Sequence, residues 1–296
     1  MTLVTFIGTS GGRFATISQV RGTGGVYIED QIRIHLDPGP GALVTMSKMG
    51  MDPRLTDVIV VSHGHPDHYG DADVLIEAMT EGGTRHRGIL IGSRSVTEGQ
   101  WNDWPIISRY HLSKPAQVKT ARVGDKYFLD GMSVDVLPSK HTDDSTVGFR
   151  FNTLSGPISY VSDTEFSEDL AQRHRGAKLL ILPATRPLRG RIAGHMCTED
   201  IADFVRIAKP EMAVMTHFGL KVLKSGPEAE ARWVREKTGA NVLAAEDGMV
   251  VRVEAKVEVV EGGRKATPDF RAQAERATLP PPLEDREGRA GGAYQH

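Results

Sequence analysis

The segment at positions 62–68, Ser-His-Gly-His-Pro-Asp-His, contains three imidazoles and one carboxylate. It follows the apolar run Val58–Val61, which predicts a buried strand, so the segment forms a loop at the end of that strand. Neutral imidazole nitrogens and carboxylate oxygens are the ligands that Zn²⁺ and similar divalent ions prefer. The sequence therefore predicts a metal site at one end of a strand.

Other residues of metal-binding type lie downstream, at His141, Asp163, His195 and His217. Three of them closely follow strand-like apolar runs, and His195 lies in a glycine-flanked loop just before a predicted helix. Side chains at strand ends can gather at one edge of a pair of sheets. The placement predicts that these residues join the His-rich loop.

Runs of predicted strands with helices between some of them favour an α/β fold, with two packed sheets and helices outside. The predicted elements include strands at 58–61 and 126–129 and helices at 198–208 and 227–238. Residues 93–124 show weak periodicity and are expected to form a long ordered connection. We expect one domain over residues 1–260. Residues 261–296 are rich in Gly, Pro, Arg and Glu and are expected to be flexible or loosely docked.

The composition limits the classes of function. There are 36 basic and 38 acidic residues, so bulk charge does not favour general nucleic-acid binding. The single cysteine, Cys197, can form neither an internal disulfide nor a cysteine-based zinc site. The first residues do not show the basic and then long apolar pattern of a secretion leader, and no run approaches the ~18 apolar residues that span a membrane. A cytoplasmic protein without a membrane segment is expected.

The combined motifs resemble those of metallo-β-lactamase-fold hydrolases. Positions 63–68 match the HxHxDH motif of that family, and Asp37 matches its first acidic motif. The later His, Asp and His motifs are matched in order by His141, Asp163 and His217. The resemblance covers about Leu3 to Glu254. It implies a four-layer αβ/βα sandwich with the site at one edge.

Within that family, several segments are similar to ribonuclease Z and its relatives. These are the opening TFIGTSGG at 5–12, GFRF at 148–151, SDT at 162–164, GHMCT at 194–198 and THF at 216–218. The resemblance also suggests a homodimer.

The resemblance implies two divalent metal ions per chain. Zinc suits the His-rich ligands, while manganese, iron or cobalt could occupy the same nitrogen and oxygen ligands. The implied ligands are His63, His65 and His141 for one ion and Asp67, His68 and His217 for the other, with Asp163 bridging. Asp37 would orient a ligand imidazole from behind the ligands.

Two metal ions of this kind can hold a bridging water, lower its pKa towards neutrality and so supply a hydroxide. Asp67 is expected to bind one metal and orient that hydroxide, and His195 is expected to donate a proton to the leaving oxygen. Three guanidiniums that could bind a phosphate lie just before His195, at Arg186, Arg189 and Arg191. An ordinary solvated loop is the alternative for these arginines. Trp101 and Trp104 either stack on a ring of the substrate or pack the fold.

The expected activity is therefore phosphodiester hydrolysis. His141 and Asp163 are only 22 positions apart, which leaves room for two strands and a turn. Ribonuclease Z enzymes that process tRNA carry a protruding tRNA-binding arm in this interval. A small-molecule or short nucleotide phosphodiester is thus the expected substrate, and tRNA is not.

Three other functions are compatible with the same fold. The same metal pair could hydrolyse an ester, thioester, lactone or β-lactam. A di-iron oxidoreductase is disfavoured because such proteins usually carry Glu at the place of His65 and need an electron-carrier module. A non-catalytic module is disfavoured because none of the expected ligands has been lost.

Overall fold

The computed structural model describes residues 1–99 and 104–261. The strands β1 to β15 are, in chain order, Thr2–Phe6, Val26–Glu29, Arg33–Leu36, Val58–Val61, Ile89–Ser93, Gln117–Ala121, Lys126–Leu129, Met132–Pro138, Val147–Thr153, Gly156–Tyr160, Leu179–Pro183, Met212–Thr216, Val242–Ala244, Val250–Val253 and Val257–Glu261. The helices α1 to α10 are Arg13–Ser18, Ala42–Lys48, Pro66–Tyr69, Ala72–Met79, Arg94–Thr97, Arg109–Leu112, Glu168–Arg173, Thr198–Ala208, Leu220–Ser225 and Pro227–Thr238.

The strands form two sheets. The first contains eight strands in the order β15-β14-β1-β2-β3-β4-β5-β6, and the second contains seven in the order β13-β12-β11-β10-β9-β8-β7. The main apolar core lies between the sheets, where side chains such as Phe6 and Ile34 of the first sheet meet Phe149 and Ile181 of the second. Burial of this apolar area is the main force that holds the two sheets face to face.

Helices cover the outer faces of both sheets. Residues of α2 and α4 pack with the outward side chains of the first sheet, including Ile59 and Leu90. Residues of α7, α8 and α10 pack with the second sheet, including Leu180 and Met215. The predicted four-layer αβ/βα sandwich is thereby confirmed.

Parallel pairing brings several loops to one edge of the sandwich. Strand β4 has the all-apolar sequence VIVV, is buried along its whole length and pairs in parallel with β3 and β5. In the second sheet, β10 to β13 are also parallel. Strands covered on both faces read as continuous apolar runs, which is why β4 was recognisable from the sequence. The carboxyl ends of these strands carry the loops with the metal-type residues.

The interval 93–124 differs from the prediction of one long connection. Its described part contains α5, α6 and the edge strand β6, which pairs in parallel with β5. The sequence of β6, QVKTA, carries little apolar signal because this strand lies at the edge and most of its side chains are not buried. Its pairing with β5, rather than its own pattern, makes it a strand.

Two predicted features lie outside the described residues: Trp101 and, apart from Glu261 at the end of β15, the C-terminal segment. Across the ranges 1–99 and 104–261, none of the helices combines the length and the apolar character needed to cross a bilayer.

Candidate metal centre

The His-rich loop leaves β4 and enters the short helix α3. Pro66 occupies the first turn of α3, where the missing N–H group costs no hydrogen bond, and His65 is the extended residue before it. This geometry places His63 and His65 on the loop, and Asp67 and His68 on the helix. His63 and His68 are buried.

One group of imidazoles gathers around His65. Its Nδ1 lies 3.0 Å from Nε2 of His63 and 3.1 Å from Nε2 of His141. His141 arrives from the second sheet, in the loop after β8. These residues form one of four groups whose ligand atoms lie close enough to hold a metal ion together.

A second group combines Asp67, His68 and His217. The Nε2 atoms of the two imidazoles are 3.0 Å apart, and Nε2 of His217 lies 3.2 Å from Oδ2 of Asp67. His217 directly follows β12 and has φ 55, in the left-handed region that residues other than glycine rarely adopt. Thr185 Oγ1 lies 3.1 Å from His217 Nδ1 and fixes the other side of the ring.

Asp163 lies between these groups. Its Oδ2 is 3.7 Å from Nε2 of His141 in the first group and 3.8 Å from Nε2 of His68 in the second. Asp163 also completes two further candidate metal-holding groups, one with His63 and His68 and one with His141 and His195. A carboxylate in this position can serve both groups.

Hydrogen bonds behind the ligands direct their lone pairs inwards. Nδ1 of His141 donates to the Gly194 carbonyl at 2.8 Å, and Nδ1 of His68 donates to Oδ2 of Asp37 at 2.8 Å. In the neutral imidazoles this leaves both Nε2 atoms as acceptors that face the groups. Oδ1 of Asp163 is buried without a hydrogen-bond partner. The donor set therefore fits divalent cations.

Asp37 anchors this arrangement from behind. Its carboxylate accepts hydrogen bonds from the Ser62 backbone N–H and hydroxyl, both at 2.6 Å, and from Tyr160 Oη at 2.6 Å. Together with His68, these donors surround a carboxylate that is almost fully buried. Asp37 thus contacts His68 directly and reaches His63 through Ser62, whose Oγ lies 3.1 Å from His63 Nδ1.

The electrostatics favour ionised carboxylates at the centre. Burial alone would raise the pKa of Asp67, but His68 and His217 hold that pKa well below its usual value. Burial likewise opposes ionisation of Asp163, and the surrounding imidazoles, His217 first, nevertheless keep the pKa of Asp163 well below its usual value. Burial lowers the pKa of His63 and His65. Burial also opposes protonation of His68 and His217, but the carboxylates, Asp37 first for His68 and Asp163 first for His217, raise the pKa of both imidazoles. Neutral imidazoles and charged carboxylates are the forms that bind divalent metals.

His195 lies beside the first group. Its Nδ1 is 3.5 Å from Oδ2 of Asp163, and its ring centroid is 4.9 Å from that of His141. That Nδ1 is buried without a hydrogen-bond partner, whereas the side chain as a whole is 21% exposed. The preceding residue, Gly194, is held by both of its backbone groups, since its N–H donates to Glu165 at 2.9 Å and its carbonyl accepts from His141. The side chain can therefore reach both the centre and a bound substrate.

The three arginines before His195 are partly engaged within the protein. Arg186 Nε donates to the Gly190 carbonyl at 2.9 Å, and Arg191 forms an ion pair with Asp200. Arg189 is exposed and has φ 61. Their role in phosphate binding stays a prediction.

Two residues that contact the centre had no role assigned from the sequence. Gly12 N donates to Oδ2 of Asp67 at 2.6 Å. A Cβ on Gly11 would lie 2.1 Å from the His217 ring, so only glycine leaves room for that imidazole. The glycines belong to the opening segment that resembles ribonuclease Z, but the contacts join residues more than 50 positions apart and leave no local signal.

The family follows from a match to the whole central part of the chain. The model of the β-lactamase superfamily domain matches residues 32–218, which include the His-rich loop and His217. The chain belongs to the β-lactamase superfamily. An uncharacterized superfamily relative from Methanocaldococcus jannaschii is 38% identical over 265 residues, covering 88% of this chain and 97% of the relative. A metal-dependent hydrolase of Methanopyrus kandleri is 23% identical over 222 residues, covering 70% of this chain and 86% of its own length.

Solved structures share the superfamily fold. The metallo-β-lactamase fold protein YhfI from Bacillus subtilis has a TM-score of 0.69 at 19% identity and covers 84% of this chain and 98% of its own. A diphosphatase of the PhnP family has a TM-score of 0.61 at 20% identity, covering 87% and 100%. The short form of human tRNase Z has a TM-score of 0.62 at 18% identity, covering 85% and 99%. These structures establish the metallo-β-lactamase fold.

Proposed function

We propose that this protein is a dinuclear metal-dependent hydrolase that cleaves phosphodiester bonds. The observation that carries the proposal is the position of Asp163 Oδ2. This one oxygen lies within 4 Å of imidazole nitrogens from both ligand groups and of His195. A paired metal centre can stabilise both the attacking and the leaving oxygen of phosphoryl hydrolysis, and an adjacent proton donor can assist the leaving group.

When bound, two divalent ions supply a water of lowered pKa and polarise a substrate oxygen. Asp67 contributes a charged carboxylate whose Oδ2 is fixed by Gly12 N at 2.6 Å. With that oxygen held, the side chain is placed to orient the attacking water. Zinc suits the imidazole-rich ligand set, and manganese, iron or cobalt are compatible with it.

His195 is placed to protonate the leaving oxygen. Its Nδ1 lies 3.5 Å from Oδ2 of Asp163, and the side chain keeps partial access to solvent, where a substrate would enter. Burial lowers the pKa of His195, against the charge of Asp163, which raises it. The proposed proton transfer therefore rests on the position of the imidazole beside the centre.

The phosphodiester substrate is supported by three arginines on the loop before His195. It is also supported by two proteins of similar fold, a diphosphatase and a tRNase Z. Guanidinium groups match phosphate oxygens in geometry and charge. The PhnP-family diphosphatase and human tRNase Z share this fold, each at no more than 20% identity. Hydrolysis of an ester, thioester, lactone or β-lactam by the same centre is the competing outcome.

A small substrate is favoured by the short connection after His141. Only Leu154 and Ser155 join β9 to β10. Between His141 and Asp163 there is consequently no projecting arm in the described structure that could grip tRNA. We propose a small-molecule or short nucleotide phosphodiester as substrate. A homodimer and a cytoplasmic location stay predictions.

The test is a substrate panel with the purified protein after metal removal and restoration with Zn²⁺ or Mn²⁺. The panel contains bis-p-nitrophenyl phosphate, a β-lactam, a lactone and a thioester. We expect metal-dependent hydrolysis of the phosphodiester, which His65→Ala abolishes and the exposed His86→Ala leaves intact. Turnover of a lactone or thioester with no cleavage of any phosphodiester would refute the proposal.

A further inference from the structure

Asp143 is a buried carboxylate that lies outside the candidate metal-holding groups. We infer that Asp143 is a positioning residue that sets the geometry of the His63, His65 and His141 ligand group. The inference rests on the paired metal centre of the proposed function. It goes beyond that function by naming a residue that positions only one of the two ligand groups.

Asp143 connects a ligand loop of each sheet. It lies two residues after His141, in the loop between β8 and β9 of the second sheet. Its Oδ2 accepts a hydrogen bond at 3.0 Å from the backbone N–H of Gly64 in the first sheet's loop. Gly64 is the residue between His63 and His65, so the bond fixes the peptide that separates these two ligands.

The same carboxylate organises its own loop and a third segment. Oδ1 accepts from the Ser145 N–H at 2.9 Å and from its hydroxyl at 2.7 Å. Oδ2 also accepts from Ser95 Oγ at 2.6 Å, just after β5. Four donors therefore converge on one side chain, from two loops and from helix α5.

Ser95 connects Asp143 to Ile106, which packs beside the ligand loop. Its carbonyl accepts from Ile106 N at 3.0 Å, and the Ile106 side chain packs over Gly64. A Cβ on Gly64 would lie only 2.9 Å from Ile106 Cγ1. Asp143 thus holds the ligand loop through Gly64 N, while Ile106 and Ser95 pack closely against Gly64.

The chemistry of this position requires a carboxylate. Each oxygen faces one backbone N–H, which can only donate, so both oxygens must accept. An asparagine amide could accept from only one of Gly64 and Ser145.

The second ligand group lacks this support. Asp67, His68 and His217 are fixed by Gly12, Asp37 and Thr185, none of which is a hydrogen-bond partner of Asp143. Loss of Asp143 should consequently weaken one metal position and spare the other. A general loss of stability would weaken both.

The experiment measures Zn²⁺ affinity by chelator competition in two single-site backgrounds. His217→Ala disables the second group and leaves the group around His65, whereas His65→Ala does the reverse. We expect Asp143→Ala to weaken Zn²⁺ binding about 10–100-fold in the His217→Ala background, as is typical for partners behind metal ligands. In the His65→Ala background, Asp143→Ala should change the Zn²⁺ affinity by no more than about twofold, because Asp143 shares no hydrogen-bond partner with the remaining ligand group.

The control is Asp247→Ala, which removes a partly buried carboxylate that also accepts several hydrogen bonds, from Thr9 and Gly22. It should not reproduce the selective loss at the His65 group. Thermal unfolding verifies that each variant is folded. If Asp143→Ala does not fold, Asp143→Asn replaces it, with a smaller loss expected in the same background only.

Equal losses in the two backgrounds, or no loss in the His217→Ala background, would overturn the assignment of Asp143. Neither result bears on the substrate. Conversely, a wild-type protein that binds two Zn²⁺ ions without cleaving phosphodiesters would refute the proposed reaction while leaving this inference in place.

Discussion

His195 and Asp163 face each other, with 3.5 Å between Nδ1 of the imidazole and Oδ2 of the carboxylate. The same carboxylate oxygen lies 3.7 Å from His141 Nε2 and 3.8 Å from His68 Nε2. The carboxylate that lies between the two candidate ligand groups is therefore also the one nearest to the proposed proton donor. In the proposed mechanism, metal binding and proton transfer both depend on this side chain.

Replacing Asp163 with Ala is expected to remove both bound metal and turnover. The substitution deletes the only carboxylate among the described residues that lies in candidate groups with both His68 and His141. Metal analysis together with phosphodiesterase assays provides the measurement, and Asp144→Ala, an exposed carboxylate in the same region, provides the control. Full activity with two metals retained would show that Asp163 does not bridge.

His195→Ala should leave the metal content near that of the wild type and lower turnover by about 10²–10⁴-fold, the usual effect of losing a general acid. The loss should be largest for substrates with alkoxide leaving groups and small for p-nitrophenolate, which needs no proton. Rates over a series of leaving-group pKa values test this dependence. Loss of metal instead would identify His195 as a ligand in its group with His141 and Asp163.

Gly11→Ala should impair the second ligand group. The new Cβ would lie 2.1 Å from the His217 ring, which must then move out of its position. We expect a loss of about 1–3 kcal/mol in stability from overpacking, together with weaker metal binding. Gly22→Ala is the matched control because the nearest atom to its Cβ is 3.4 Å away. Wild-type metal affinity in Gly11→Ala would contradict the observed packing.

The buried His174 should contribute to acid sensitivity. Burial, with a smaller effect of Arg150, lowers the pKa of His174 to about 3, while the unfolded chain takes up that proton near pH ~6.5. The free energy of unfolding should therefore fall as the pH drops from ~6.5 towards 3, by up to ~1.4 kcal/mol per pH unit from this group.

Urea unfolding of the wild type and of His174→Asn across this pH range provides the measurement. Asn can keep the hydrogen bond to Ser159, which His174 makes through Nδ1 at 2.7 Å. The stability advantage of the wild type should shrink as the pH falls. A constant difference between the two proteins would mean that His174 does not remain neutral in the folded state.

The features predicted from the sequence are those with strong local signals. The apolar run of β4 and the six-position motif after it were recognisable because strand and loop chemistry are encoded in adjacent residues. The predicted bounds of helices α8 and α10 also agree with the structure to the residue. The fold class and its layers followed from the resemblance and are confirmed.

Other features depend on contacts between distant residues. Helix α1 was missed because its Phe14 and Ile17 are exposed and give no apolar face that points to a core. The bond from Gly64 to Asp143 joins residues 79 positions apart, so neither residue looks special in its own segment. Such contacts come from tertiary packing, which a single sequence does not display.

The central claim is tested most directly by titrating the metal-free protein with Zn²⁺ while following both binding and hydrolysis of bis-p-nitrophenyl phosphate. We expect two ions to bind per chain and hydrolysis to appear mainly as the second ion binds. Full activity at one ion per chain, or two bound ions with no cleavage, would contradict a paired centre that acts on phosphodiesters.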